Sequence, residues 1–176
     1  MLMKEDLNNL TFILGGARSG KSALAEQRSR EYGDSVVYCA TAEILDDEME
    51  RRVAAHRSRR PETWRTVEAP HQAAGKIREA LTITPAKCVL FDCLSVLSSN
   101  VLLSLDENAG EAEAFAALKK QELDELIRLI TQVTAPAVSI RISGKLFLFI
   151  FIPYGSDRLL LSADRAYQII TALRVK

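Results

Sequence analysis

The stretch Gly15-Gly16-Ala17-Arg18-Ser19-Gly20-Lys21-Ser22 constrains this chain more than any other, because it follows directly on the apolar run at residues 10–14. It fits the spacing G-x-x-x-x-G-K-[ST] in the strand, loop and helix context that the spacing requires. Glycines let successive backbone N–H groups turn inward around phosphate oxygens, and a helix opening at Lys21 aims the positive end of its dipole at them. In that arrangement Lys21 reaches the β- and γ-phosphates, and the Ser22 hydroxyl ligates Mg2+. The expected ligand is a nucleoside triphosphate. The alternative is a glycine-rich β–α turn that matches the spacing by chance.

The remainder of the chain alternates strand-like and helix-like segments. After a first strand at 10–14, a helix is expected from 21 to about 32 and a strand over 35–40. Asp46 or Asp47 caps a further helix that Pro61 terminates, and another runs from 70 to about 80. Residues 88–92 form an apolar strand ending in a carboxylate, and 95–105 and 109–133 read as helices. Segments 137–142 and 145–152 both read as strands, joined at Ser143-Gly144 in a hairpin foreign to a run of β–α units; 167–173 is a last apolar run. Continuous apolar strands alternating with helices indicate an α/β fold, a mostly parallel sheet with helices on both faces. With no repeat or linker, residues 1–176 are expected to form one nucleotide-binding domain, long enough to bury a full core.

Lys plus Arg equals Asp plus Glu at 23 each, so composition offers no case for nucleic acid or a membrane surface as partner. The first nine residues lack the apolar stretch of a signal peptide. The longest apolar run, 146–152, is far too short to span a bilayer. Cys39, Cys88 and Cys93 are an odd number without metal-ligand spacing; buried free thiols in a reducing cytoplasm are expected.

Two groups of residues could carry chemistry. Asp92 closes an apolar strand, where nucleotide-binding α/β proteins place an acid near Mg2+; the alternative is a helix cap. In the helix before Pro61, His56 has Arg52, Val53, Arg59 and Arg60 three or four residues away, on one face. Three guanidinium groups disfavour imidazolium, keeping the ring neutral and nucleophilic, and their forked donors suit phosphate oxygens. A histidine attacking phosphorus would form a phosphoramidate and split one transfer into two steps. The alternative is a basic helix whose acids and bases merely suit its dipole. Trp64 reads as a packing anchor and His71 as a capping or exposed residue.

Taken in order, the phosphate loop, Tyr38-Cys-Ala-Thr-Ala-Glu43, Asp46-Asp-Glu-Met49, His56-Arg-Ser-Arg-Arg-Pro61, Trp64-Arg-Thr-Val-Glu68, Leu90-Phe-Asp-Cys-Leu94 and Asn100 resemble the bifunctional adenosylcobinamide kinase/adenosylcobinamide-phosphate guanylyltransferase family of cobalamin assembly. The resemblance covers roughly residues 10 to 133. It implies a P-loop NTPase with a RecA-like sheet, assembled as a homotrimer. It also implies two reactions: ATP or GTP phosphorylates the aminopropanol hydroxyl of adenosylcobinamide, and GTP then passes GMP through a histidine to that phosphate. The products are adenosylcobinamide-GDP and pyrophosphate. Carried onto this chain, His56 is the guanylylated nucleophile and Lys21 the phosphate-binding catalytic lysine. Gly15, Gly16, Ala17, Arg18, Ser19, Gly20, Lys21, Ser22, Ala40, Thr41, Ala42, Arg57, Ser58, Arg59, Arg60, Glu68 and Asp92 would line the nucleotide site, with Ser22 and Asp92 at Mg2+.

The chain departs from the family over 134–162. A Ser/Thr-Asn-Glu-Val-Gly loop and an arginine-rich helix are expected there; 136–153 is apolar instead, and family pattern returns only at 163–167. A local frame error and a divergent member both fit. Two other readings follow: a nucleotide-binding member impaired by this segment, and another small-molecule phosphotransferase on the same fold.

Overall fold

Two strands without a polar side explain the architecture. In β3 (Val36–Ala40) and β5 (Cys88–Asp92) the first four residues are all buried, which requires cover on both faces of the sheet. Successive side chains point to opposite faces. Val36, Tyr38, Cys88 and Leu90 join Ile13, Ala25 and Trp64 on one side. Val37, Cys39, Val89 and Phe91 join Ile77, Leu97, Leu118 and Leu129 on the other.

The structure, a computed structural model, describes residues 3–7, 10–15, 19–106, 108–134 and 146–151. Six strands stand in the order β1 (Met3–Leu7), β2 (Leu10–Gly15), β6 (Leu146–Phe151), β5, β3 and β4 (Arg65–Glu68). Among them β1 pairs antiparallel with β2, and every other neighbouring pair is parallel. The expected α/β P-loop class, a mostly parallel sheet covered by helices, is what forms.

Helix α1 (Lys21–Ser29) runs on into a 3-10 turn at Arg30–Tyr32. In α2 (Asp47–Arg57) the expected cap is Asp46, whose carboxylate accepts the Met49 N–H at 2.7 Å. Helices α3 (Ala73–Ile83) and α4 (Leu94–Leu103) flank β5 in sequence. The single helix expected over 109–133 is instead α5 (Glu111–Leu118), a π-helical stretch (Lys119–Leu123) and α6 (Asp124–Thr134). Such a stretch re-aims side chains relative to an α-helix. Here Glu122 lies inside it at 2% exposure, accepting the N–H of Gln72 at 2.5 Å and of Ala73 at 3.0 Å. It thereby caps the start of α3.

The expected hairpin over 137–152 is corrected in its second arm. β6 pairs in parallel on both sides, with β2 along its whole length and with β5 along Leu146–Leu148. Residues 137–142, like 167–173, lie outside the described residues. Strands β1 and β4 were not foreseen. The Asn8-Asn9 spacer between two short apolar-ended segments was the available signal for β1; β4 is four residues long and only Val67 in it is apolar. All three cysteines are free and buried, as expected. Among the described residues, no helix is long and apolar enough to cross a membrane.

Candidate active site

The five parallel strands run the same way, so their carboxyl ends form one rim, where open parallel sheets hold their ligands. In the ladder Ala40 stands beside Asp92 on one side and Glu68 on the other. Helix α1 begins at this rim. Gly20, at its N-cap, has φ 82°, a left-handed conformation that glycine adopts without strain. Gly20 offers α1 no side-chain cap and the first turn carries no acid, an N-terminus suited to an anion. Among the described residues the buried Ser19 hydroxyl oxygen has no hydrogen-bond partner, an atom that a phosphate oxygen would satisfy. Lys21 is 8% exposed. Burial holds its pKa below the ordinary lysine value, against the opposite influence of Cys93 and Asp92. Gly16, Ala17 and Arg18 lie outside the described residues.

His56 reaches the same region from the last turn of α2. Its Nδ1 is 3.8 Å from Asp92 Oδ2 and 3.9 Å from Glu26 Oε1. Arg59 Nη2 donates to the same nitrogen at 3.1 Å. Arg60 Nε donates to the His56 carbonyl at 3.0 Å, and the Arg60 guanidinium stacks 3.6 Å above the Tyr38 ring, a favourable cation–π geometry. The Tyr38 hydroxyl donates to Asp92 Oδ2. Burial, then Asp92, push the Tyr38 pKa well up, which keeps it a donor. Asp92 does not cap α4; Cys93 occupies that position, and burial pushes its thiol up to about 12.

The segment after α2 is pinned from below. Arg30 donates to the Arg59 carbonyl at 2.6 Å, Thr63 to Asp34 Oδ1 at 2.6 Å, and the Trp64 indole to the Gly33 carbonyl at 3.0 Å. Trp64 is 5% exposed, the anchor it was expected to be. These bonds hold the turn that carries Arg59 and Arg60 over the sheet.

Of the residues expected to line a nucleotide, the structure brings His56, Arg59, Arg60 and Asp92 together. Thr41 plays another part. Its fully buried hydroxyl accepts the Cys93 N–H at 2.8 Å and lies 2.8 Å from the Cys93 carbonyl. Asn100 donates to the carbonyls of Thr41 at 2.8 Å and Pro70 at 2.9 Å. Together they tie the exits of β3 and β5. Ala40 and Ala42 are partly buried on that exit. Arg57 and Ser58 are exposed at the end of α2, where the Ser58 hydroxyl donates to the Ala55 carbonyl at 3.1 Å. Glu68 is exposed two strands from Asp92, about 10 Å across the sheet. The Arg52 side chain lies outside the described set. Two members of the cluster were missed: Glu26, which its place four residues after Ser22 put on the same helix face, and Tyr38.

A family described as cobinamide kinase / cobinamide phosphate guanyltransferase matches residues 11–143 of this chain. The chain belongs to that family. Among its relatives is the bifunctional adenosylcobalamin biosynthesis protein CobP of Pseudomonas aeruginosa, 44% identical over 127 residues, 72% of each chain. The CobU proteins of the same description from Salmonella typhimurium and Escherichia coli are 31% and 37% identical, over 95% and 73% of this chain and 98% and 72% of theirs. The family match ends at residue 143, inside the segment 134–162. Beyond that end, residues 146–151 still supply the strand between β2 and β5.

Proposed function

We propose that the chain phosphorylates adenosylcobinamide with ATP or GTP and then transfers GMP from GTP, through guanylyl-His56, to the adenosylcobinamide phosphate. The observation that carries this reading is His56 among Arg59, Arg60 and Asp92 at the rim where α1 turns its N-terminus. In the kinase step the aminopropanol hydroxyl oxygen bonds to the γ-phosphorus, the β–γ bridging P–O bond breaks, ADP or GDP leaves and the hydroxyl proton passes to solvent, while Lys21 offsets charge on the phosphates. In the transfer step a ring nitrogen of His56 bonds to the α-phosphorus, the α–β bridging P–O bond breaks, and pyrophosphate leaves. The phosphate of the corrinoid then displaces His56 from that phosphorus. Arg59 and Arg60 suit the phosphates as fixed positive charges with forked donors.

Gly15 to Ser22 would cradle the triphosphate, with Ala40, Thr41, Ala42, Arg57, Ser58 and Glu68 at the margins of the pocket. Ser22 and Asp92 offer hard oxygen donors, the kind Mg2+ takes together with substrate phosphates and waters, and they fit that ion. When bound, Mg2+ would neutralise charge on the phosphates. The reading includes a cytoplasmic homotrimer whose chains each fold as one unit over 1–176.

The test is product analysis. Adenosylcobinamide with ATP should yield its phosphate, and added GTP should yield adenosylcobinamide-GDP with one pyrophosphate per product. GTP binding by calorimetry without pyrophosphate release would favour a second reading, a binding member disabled by its departure over 134–162. Turnover with other small-molecule alcohols but not the corrinoid would favour another phosphotransferase.

A further inference from the structure

The contacts of the His56 ring conflict with its use as a nucleophile. Arg59 Nη2 lies 3.1 Å from Nδ1. A guanidinium only donates, so Nδ1 accepts, and the proton of the neutral ring sits on Nε2. In that tautomer Nε2 has no lone pair to offer phosphorus, and the lone pair of Nδ1 points into Arg59. Neither nitrogen is ready to attack.

A replacement partner for Nδ1 stands close by. Glu26 Oε1 is 3.9 Å from it, on a side chain 7% exposed. Among the described residues that buried oxygen has no hydrogen-bond partner, a costly state for a carboxylate. The other oxygen, Oε2, faces Arg59 Nε at 3.9 Å. Asp92 Oδ2 is equally near the ring, at 3.8 Å, and also accepts the Tyr38 hydroxyl. Glu26 Oε1 is the one of the two that, among the described residues, has no hydrogen bond of its own.

We propose that Arg59 and Glu26 are alternative partners of His56 Nδ1, and that Glu26 is a positioning residue for guanylyl transfer. Arg59 holds the resting tautomer. When the triphosphate draws its guanidinium onto phosphate oxygens, Nδ1 takes a proton from solvent and its N–H donates to Glu26 Oε1, while Nε2 gives its proton back to solvent. The net charge of the ring is unchanged. Nε2 then attacks the α-phosphorus with its lone pair; the N–P bond forms, the α–β bridging P–O bond breaks, and pyrophosphate leaves with the electron pair. The proton stays on Nδ1, where the carboxylate offsets the positive charge the ring acquires. This is the logic by which a carboxylate fixes a histidine tautomer elsewhere. It rests on the reading of His56 as the guanylylated residue.

Two measurements test it. Imidazole nitrogen NMR on ligand-free protein, with His56→Ala to separate the signal from His71, should show Nε2–H in the wild type and Nδ1–H in Arg59→Ala. The rate of a single round of labelling by α-labelled GTP should fall roughly tenfold in Glu26→Gln, which keeps an acceptor without its charge, and roughly a hundredfold in Glu26→Ala. Folding of both variants is read by their urea transitions; the isosteric Glu26→Gln suffices where Glu26→Ala does not fold. A wild-type rate in either folded variant, or one tautomer shared by wild type and Arg59→Ala, would overturn the proposal. A wild-type protein that takes no label would overturn instead the reading of His56 beneath it.

Discussion

His56 Nδ1 stands 3.8 Å from Asp92 Oδ2, although one arrives on α2 and the other at the end of β5. That approach joins an arginine-rich helix to the carboxyl rim of the sheet, where α1 begins. A basic helix serving only its own dipole has no reason to lay its last turn against a strand end. The bonds from Arg30, Thr63 and Trp64 hold it there.

Lys21 should decide affinity for the triphosphate. Losing a charge-assisted hydrogen bond costs roughly 1.5–3 kcal/mol, so Lys21→Met should weaken GTP binding by about ten- to a hundredfold. Burial lowers the Lys21 pKa in the free protein, and a neighbouring phosphate raises it again. Binding at alkaline pH should therefore take up protons. Calorimetry in buffers of different ionisation enthalpy reads both quantities.

Glu26 should cost the free protein stability. Burial, then the neighbouring Asp92, raise its pKa, and Arg59, Arg60 and Arg30 pull it back only in part. The folded chain then holds a proton that the unfolded chain has released, so the contribution of Glu26 falls as pH rises from the ordinary carboxylate range through its raised folded value. Glu26→Gln should melt higher than the wild type at neutral pH, with the gap closing in acid. A pH series of thermal melts reads the sign.

Glu122 should matter to folding rather than to chemistry. Its carboxylate accepts two N–H groups at the start of α3, and truncation leaves the buried Ala73 donor without a partner. Glu122→Ala should cost roughly 1–3 kcal/mol for that orphaned group, read as a lower urea midpoint with an unchanged slope.

The apolar strand β6 should be indispensable to the sheet. Leu148 pairs with Phe12 on one side and Phe91 on the other. Proline there removes a ladder donor in a central strand. Leu148→Pro should abolish the cooperative urea transition; a normal transition would show that 146–151 is dispensable.

Much of this was legible in the sequence. Four consecutive buried residues in β3 and β5 required helices on both faces, and the phosphate loop announced the strand before it and the helix after it. The Arg59 and Arg60 neighbourhood of His56 followed from helical spacing. What spacing along one helix could not supply was the partners from other elements: Asp92 and Glu26 reach His56 only through tertiary packing. For that reason the field at the ring, expected to come from arginines alone, also includes two carboxylates. The π-helical stretch escaped because the apolar periodicity of 109–133 continues across it. The second hairpin arm became a central strand because local alternation says nothing about which edge a strand will find.

The central claim is that His56 carries GMP. Protein incubated with GTP labelled in the α-phosphate, then denatured, should retain a label that is lost in acid and stable in base, and folded His56→Ala should retain none. A folded His56→Ala protein labelled like the wild type, or a folded wild type with no label, would contradict it.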